Sequence, residues 1–90
     1  MKIEPMQPTL VTVSHEGNNG LANLIYINQE ELSINSTLSL ETGNHIEFYS
    51  HYFFGRGVIK TVFHQLYQYQ YRLFIEEIHY RRGIVIDEVL

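Results

Sequence analysis

The sequence predicts a mainly β domain, a small closed or partly open barrel of five to seven antiparallel strands. Three observations carry this expectation. Val, Ile, Thr, Tyr and Phe dominate the segments between turns, and these are residues that fit a pleated, half-buried surface. Glycine- or asparagine-containing turns punctuate the chain roughly every 8 to 12 residues. A length of 90 residues, 44% of them apolar and 13% aromatic, supports one core and leaves no room for a second, so residues 1–90 form a single domain. Closing a sheet of this size into a barrel also removes the edges that a flat sheet would offer to aggregation.

The lead-in MKIEPMQP carries Pro5 and Pro8, which forbid a helix. Thr9 to Ser14 is rich in β-branched residues and reads as a first strand. The polar run from His15 to Gly20 reads as a turn, and Leu21 to Ile27 as the second strand of a hairpin. Leu32 to Leu40 predicts short strands around a turn at Asn35 and Ser36, and Glu41 to Asn44 a further turn. His45 to Phe54 alternates as one long strand, with Ile46, Phe48, Ser50, Tyr52 and Phe54 on one side and Glu47, Tyr49, His51 and Phe53 on the other. The glycines of Gly55-Arg56-Gly57 break it, giving a hairpin turn before Val58 to Phe63. Residues 58–81 fit two patterns, because Ile59, Val62, Phe63, Leu66, Tyr67, Leu73 and Phe74 also lie near helical spacing. Strands are the favoured reading, with Gln65, Gln68 and Gln70 where a hairpin needs its connection, Tyr71 to Ile78 one strand and Gly83 to Val89 the last.

Six basic and ten acidic residues give a formal charge of −4, which opposes non-specific capture of polyanions. Lys2 is the sole Lys or Arg before His51, and faces six Glu. Arg56, Lys60, Arg72, Arg81 and Arg82 are therefore the only material for an anion-binding patch. No stretch is long and apolar enough for a membrane helix, and the start lacks the pattern of a secretory signal. With no cysteine in the chain, a cytoplasmic location and no membrane association are expected.

From Leu38 onward the order LSLETGNHIEF, GRGVIKTVF, YRLFIEEI and GIVIDEVL resembles the small SH3-like barrels. In those, a strand after an L-x-x-G-type turn is followed by a G-x-V/I-x-x-V strand, a strand ending in acidic residues and a closing I-x-I-D-x-V/I segment. The chain is similar in this way to the bacterial YolD-like family, and its middle part to PilZ-like barrels. The PilZ resemblance implies a fold and not nucleotide binding. That family holds cyclic di-GMP through an upstream R-x-x-x-R and a D/N-x-S-x-x-G. No arginine here precedes Arg56, and a match ending at Gly43 puts Leu38 and Leu40 where the acidic or amide residue and the serine belong. The loop signature of the RNA-binding Sm branch is also missing.

Residue types that carry chemistry are scattered. His15, His45, His51, His64 and His79 form no H-x-x-x-H pair, so no metal is expected. In a regular strand the neighbours Glu76 and Glu77 point to opposite faces and cannot share a site. Glu47 with Arg72 and Glu77 with Arg81 are the expected cross-strand ion pairs. The GRG segment, followed by Lys60, is a truncated echo of a phosphate loop. No nucleophile elbow is present, so no catalysis and no cofactor are expected.

Tyrosine is the distinctive feature. Tyr67, Tyr69 and Tyr71 alternate with Gln68 and Gln70 and project to one side of an extended chain. Such rings supply large contact area at low entropic cost. The expected function is that of a non-catalytic adaptor or regulatory protein, acting through contacts with a second copy or a larger protein. Its contact residues are Phe53, Tyr67, Tyr69, Tyr71 and Arg72. The alternative is a nucleic-acid-binding or transcription-linked accessory module, which needs the five basic residues to converge beside the tyrosines.

Overall fold

A computed structural model describes residues 2–81. The strand expected over Gly83 to Val89 and the side chain of Arg82 lie outside the described residues. Six strands form: β1 (Leu10–His15), β2 (Asn18–Ile27), β3 (Glu31–Ser36), β4 (His45–Ser50), β5 (Phe53–His64) and β6 (Tyr69–Tyr80). All pairs are antiparallel, in the order β1-β2-β3-β6-β5-β4, and β4 returns to β1 to close the barrel. The small antiparallel barrel predicted from the turns is therefore the observed fold, in its closed form. Residues 58–80 contribute strand and no helix.

β1 and β2 meet in a two-residue turn at Glu16 and Gly17, both at positive φ, the geometry that matches the twist of a hairpin. Asn35 and Ser36, expected in a turn, belong to β3. The Ser36 hydroxyl donates to the Leu21 carbonyl and accepts from the Leu38 amide, so one side chain both seals the strand end and starts the turn after it.

The expected single strand from His45 to Phe54 is two strands. His51 and Tyr52 reverse the chain, and the Ser50 hydroxyl oxygen accepts from the amides of Tyr52 and Phe53 at 3.0 Å each. Reversal changes the side-chain parity: Ile46 and Phe48 point inward as expected, but Phe53, not Phe54, joins them. The rings of Phe48 and Phe53 meet edge to face at 5.9 Å.

Gly55 and Gly57 are not in a turn. They lie within β5, paired with Phe48 and Ile46 on one side and with Ile78 and Ile75 on the other. A Cβ on Gly55 would come to 2.1 Å from the Glu77 carbonyl oxygen, and one on Gly57 to 2.4 Å from that of Phe74. The backbones approach so closely that only glycine fits. Their amides belong to the sheet and form no phosphate cradle.

Two bulges interrupt the β5–β6 ladder, one placing Glu76 as the extra residue of β6 and the other Lys60 as the extra residue of β5. The first resets the alternation, so Glu76 and Glu77 are both exposed instead of facing opposite sides.

Val11, Val13, Leu24, Ile34, Ile59 and Leu73 are among the residues that fill the barrel. Tyr71 is fully buried with them, and its hydroxyl donates to the Leu38 carbonyl and accepts from the Leu40 amide at 2.8 Å. Burial pushes this phenol up from its ordinary value, which keeps the donor proton in place. The loop that leaves β3 is thus tied to the first residues of β6.

Gly55→Ala should lower unfolding free energy by more than about 2 kcal/mol, because backbone must move. Gly43→Ala, at a positive φ but with open space around it, should cost about 1 kcal/mol. Urea denaturation of the two variants separates steric from conformational cost. By the same measurement Tyr71→Phe should lose about 1–3 kcal/mol, since it leaves the Leu38 carbonyl and the Leu40 amide without their partner.

Candidate functional site

The β5–β6 ribbon ends in a turn closed by the Gln65 amide on the Gln68 carbonyl at 2.9 Å. This reversal separates the three tyrosines that an extended chain would align. Tyr67 sits in the turn and is 86% exposed. Tyr69 is half-buried at the rim of the core. Tyr71 is inside the barrel. Phe53 is also inside. Of the five expected contact residues, Phe53 and Tyr71 are thus core side chains, and the inward parity of their strands is the reason.

The residues that accompany Tyr67 differ from those expected. Leu66 beside it is 86% exposed, and Phe63 on the outer face of β5 is 42% exposed. Phe63 lies across from Gln70, and the Arg72 guanidinium sits over its ring at 5.3 Å. Phe63, Leu66 and Tyr67, flanked by Arg72, form an apolar knob at one end of the ribbon. In the sequence Leu66 stood out as a helical-spacing residue, while Gln65, Gln68 and Gln70 marked the hairpin connection in which it is found.

The described cations do not converge. Arg56 faces Glu47 across the ladder and reaches Glu77 at 3.6 Å. Lys60 reaches Glu31 at 3.5 Å. Arg81 gives its Nε to the Ser50 carbonyl and stacks on Phe54. Neither expected ion pair forms, because β6 is not a neighbour of β4 and because Arg81 turns toward the β4–β5 turn.

Glu31 carries the most connected charge. Its carboxylate accepts the Tyr26 hydroxyl, and this bond, with Lys60 and Arg72 nearby, holds it below the usual carboxylate range against partial burial. The same bond raises Tyr26. The histidines stay apart: His15 bonds the His45 carbonyl, His79 meets Glu77 at 2.9 Å and His45 lies 3.5 Å from Glu76. Among the described residues no group of three or more His, Asp or Glu side chains is placed to share a metal ion.

A second surface feature lies by the β4–β5 turn, at the other end of β5 from the ribbon tip. The lead-in, β1 and the end of β4 border an open groove of about 780 Å³, lined by Met6, Pro8, Leu10, Thr12, Tyr49 and Tyr52 among others. No helix among the described residues is long and apolar enough to cross a membrane. No family model matches the chain, and no curated protein is found to be similar to it.

The Glu31 cluster gives stability a pH dependence of definite sign. A carboxyl lowered in the folded state contributes fully above its unfolded value and loses that contribution as pH falls through the folded one. Urea midpoints measured from neutrality down to about pH 2 should therefore fall through and below the usual carboxylate range, and Glu31→Gln should flatten that part of the curve.

Proposed function

We propose that this chain is a non-catalytic cytoplasmic adaptor or regulatory module that docks onto protein, either a second copy or a larger partner. The docking surface is the tip of the β5–β6 ribbon. One observation carries the reading: Leu66 and Tyr67 are adjacent and each 86% exposed, beside a Phe63 that remains 42% exposed under Arg72. Burial of large apolar and aromatic side chains with a neighbouring arginine is what dominates protein contacts. A closed barrel gives that knob a rigid base, so little ordering is lost on docking.

The charges favour protein over nucleic acid. Lys2, Arg56 and Lys60 each stand within 4 Å of a carboxylate, which reduces the counterion release available to a polyanion. An exposed tyrosine serves either ligand, but only a connected basic surface holds a phosphate backbone.

Two measurements test the reading. Sedimentation equilibrium over a hundredfold concentration range checks for a second copy, and capture from native extract compares the unaltered chain with Leu66→Ser and Tyr67→Ser as baits. Self-association or a captured protein should weaken at least about tenfold in the variants, or about 1.4 kcal/mol. Their unfolding midpoints should stay within about 0.5 kcal/mol of the parent. Micromolar binding of single-stranded RNA or DNA at physiological salt, lost in Tyr67→Ala and Arg72→Ala, would transfer the site to the nucleic-acid reading.

A further inference from the structure

The two edges of the β5–β6 ribbon differ near its tip. β3 accompanies β6 to Tyr69, the first residue of that strand, through the Ser36–Tyr69 pair. β4, in contrast, leaves β5 at Val58. Just beyond, the Ile59 amide donates to the Asn44 carbonyl at 2.9 Å and the Ile59 carbonyl accepts from the Gly43 amide at 2.8 Å. Over residues 60–64, β5 has β6 on one side and, among the described residues, neither strand nor backbone bond on the other. The closed barrel thus keeps one short open edge, and an open edge is a template for a further strand.

The charges beside this edge are of one sign. Residues 60–72 include Lys60, His64 and Arg72 and no Asp or Glu, in a chain that has ten of them. Lys60 is taken up by Glu31 at 3.5 Å. The Arg72 guanidinium, spread over the Phe63 ring, stands within 4 Å of no carboxylate among the described residues. Arg72 pairs with Thr61 and Gln70 with Phe63, so guanidinium and ring share the outer face next to the open edge.

We propose that this edge takes up an extended segment of a partner protein as an added strand, one in which acidic residues alternate with apolar ones. The inference rests on the docking reading above and gives that partner a chemistry. Side chains of an added strand alternate between its two faces. Those on the outer face bring carboxylates to Arg72, whose planar fork suits them and is already held against an aromatic ring. Those between them lie beside Val62, which packs against the core. A second copy is the poorer occupant, because its own edge brings the same Lys60, His64 and Arg72 and no carboxylate to meet them. Lys60 at a bulge is moreover the kind of guard that keeps identical edges apart.

The probe is a display library of random linear peptides, panned on the full-length chain at physiological salt. The expected peptides carry Asp or Glu at alternate positions, with apolar residues between. A synthetic copy of the tightest should slow hydrogen exchange at amides within residues 60–64 that exchange readily in the free chain. It should bind at least about tenfold more weakly when its own alternate amides are N-methylated, and likewise when the chain carries Arg72→Gln. Selection of peptides without acidic residues, failure to select any, or indifference to N-methylation would overturn the proposal. So would an edge already protected in the free chain, or one protected by self-association or by single-stranded RNA in place of peptide. Should a captured partner depend on Leu66 and Tyr67 yet leave the amides of residues 60–64 exchanging as before, the docking reading stands and the added strand does not.

Discussion

Closure of this barrel depends on one long ribbon bending enough to pair with β3 on one edge and β4 on the other. β5 and β6 are 12 residues each, twice the length of β1, β3 and β4, and a ribbon of that length without interruption would not follow a small circumference. The two bulges supply the bend, and Gly55 and Gly57 let the backbones approach where it is tightest. Placement of every outward side chain on the ribbon follows from them, including the exposure of both Glu76 and Glu77. The knob at the tip depends on the same irregularity, since Val62 turns inward and Phe63 outward only because Lys60 has been inserted.

The same bulges explain where the sequence was hard to read. Ile59 and Val62 are three apart, as are Ile75 and Ile78, and all four lean toward the interior. A spacing of three mimics one turn of helix, yet here it marks an extra residue in a strand. Regular alternation was legible wherever no residue was inserted: Val11 with Val13, Ile46 with Phe48, Tyr71 with Leu73. Glu16-Gly17 and Gly43 marked real turns, whereas Gly55 and Gly57 marked close approach. Glycine alone does not distinguish the two, because both require the same missing Cβ.

The candidate site was legible in part. A concentration of aromatic residues near Tyr67 was visible as composition, but which rings face water depends on where the ribbon reverses. Gln65, Gln68 and Gln70 marked the connection, but not which residue within it stands at the turn. Phe53 misled for a related reason: the serine that makes the preceding turn, Ser50, fits an alternating strand as readily as it fits a reversal. Its role emerges only from the two amides it accepts.

The hydroxyl of Tyr71 has a dynamic consequence. The segment between β3 and β4 lies outside any strand, and such segments ordinarily open to solvent independently of the core. Here the Leu40 amide and the Leu38 carbonyl are held by a ring packed among Ile34, Leu73 and their neighbours. The amide and the carbonyl are thus held by an acceptor and donor that the core itself keeps in place. Loop and core are thereby coupled, and the Leu40 amide should exchange its hydrogen more slowly than its place outside any strand would give.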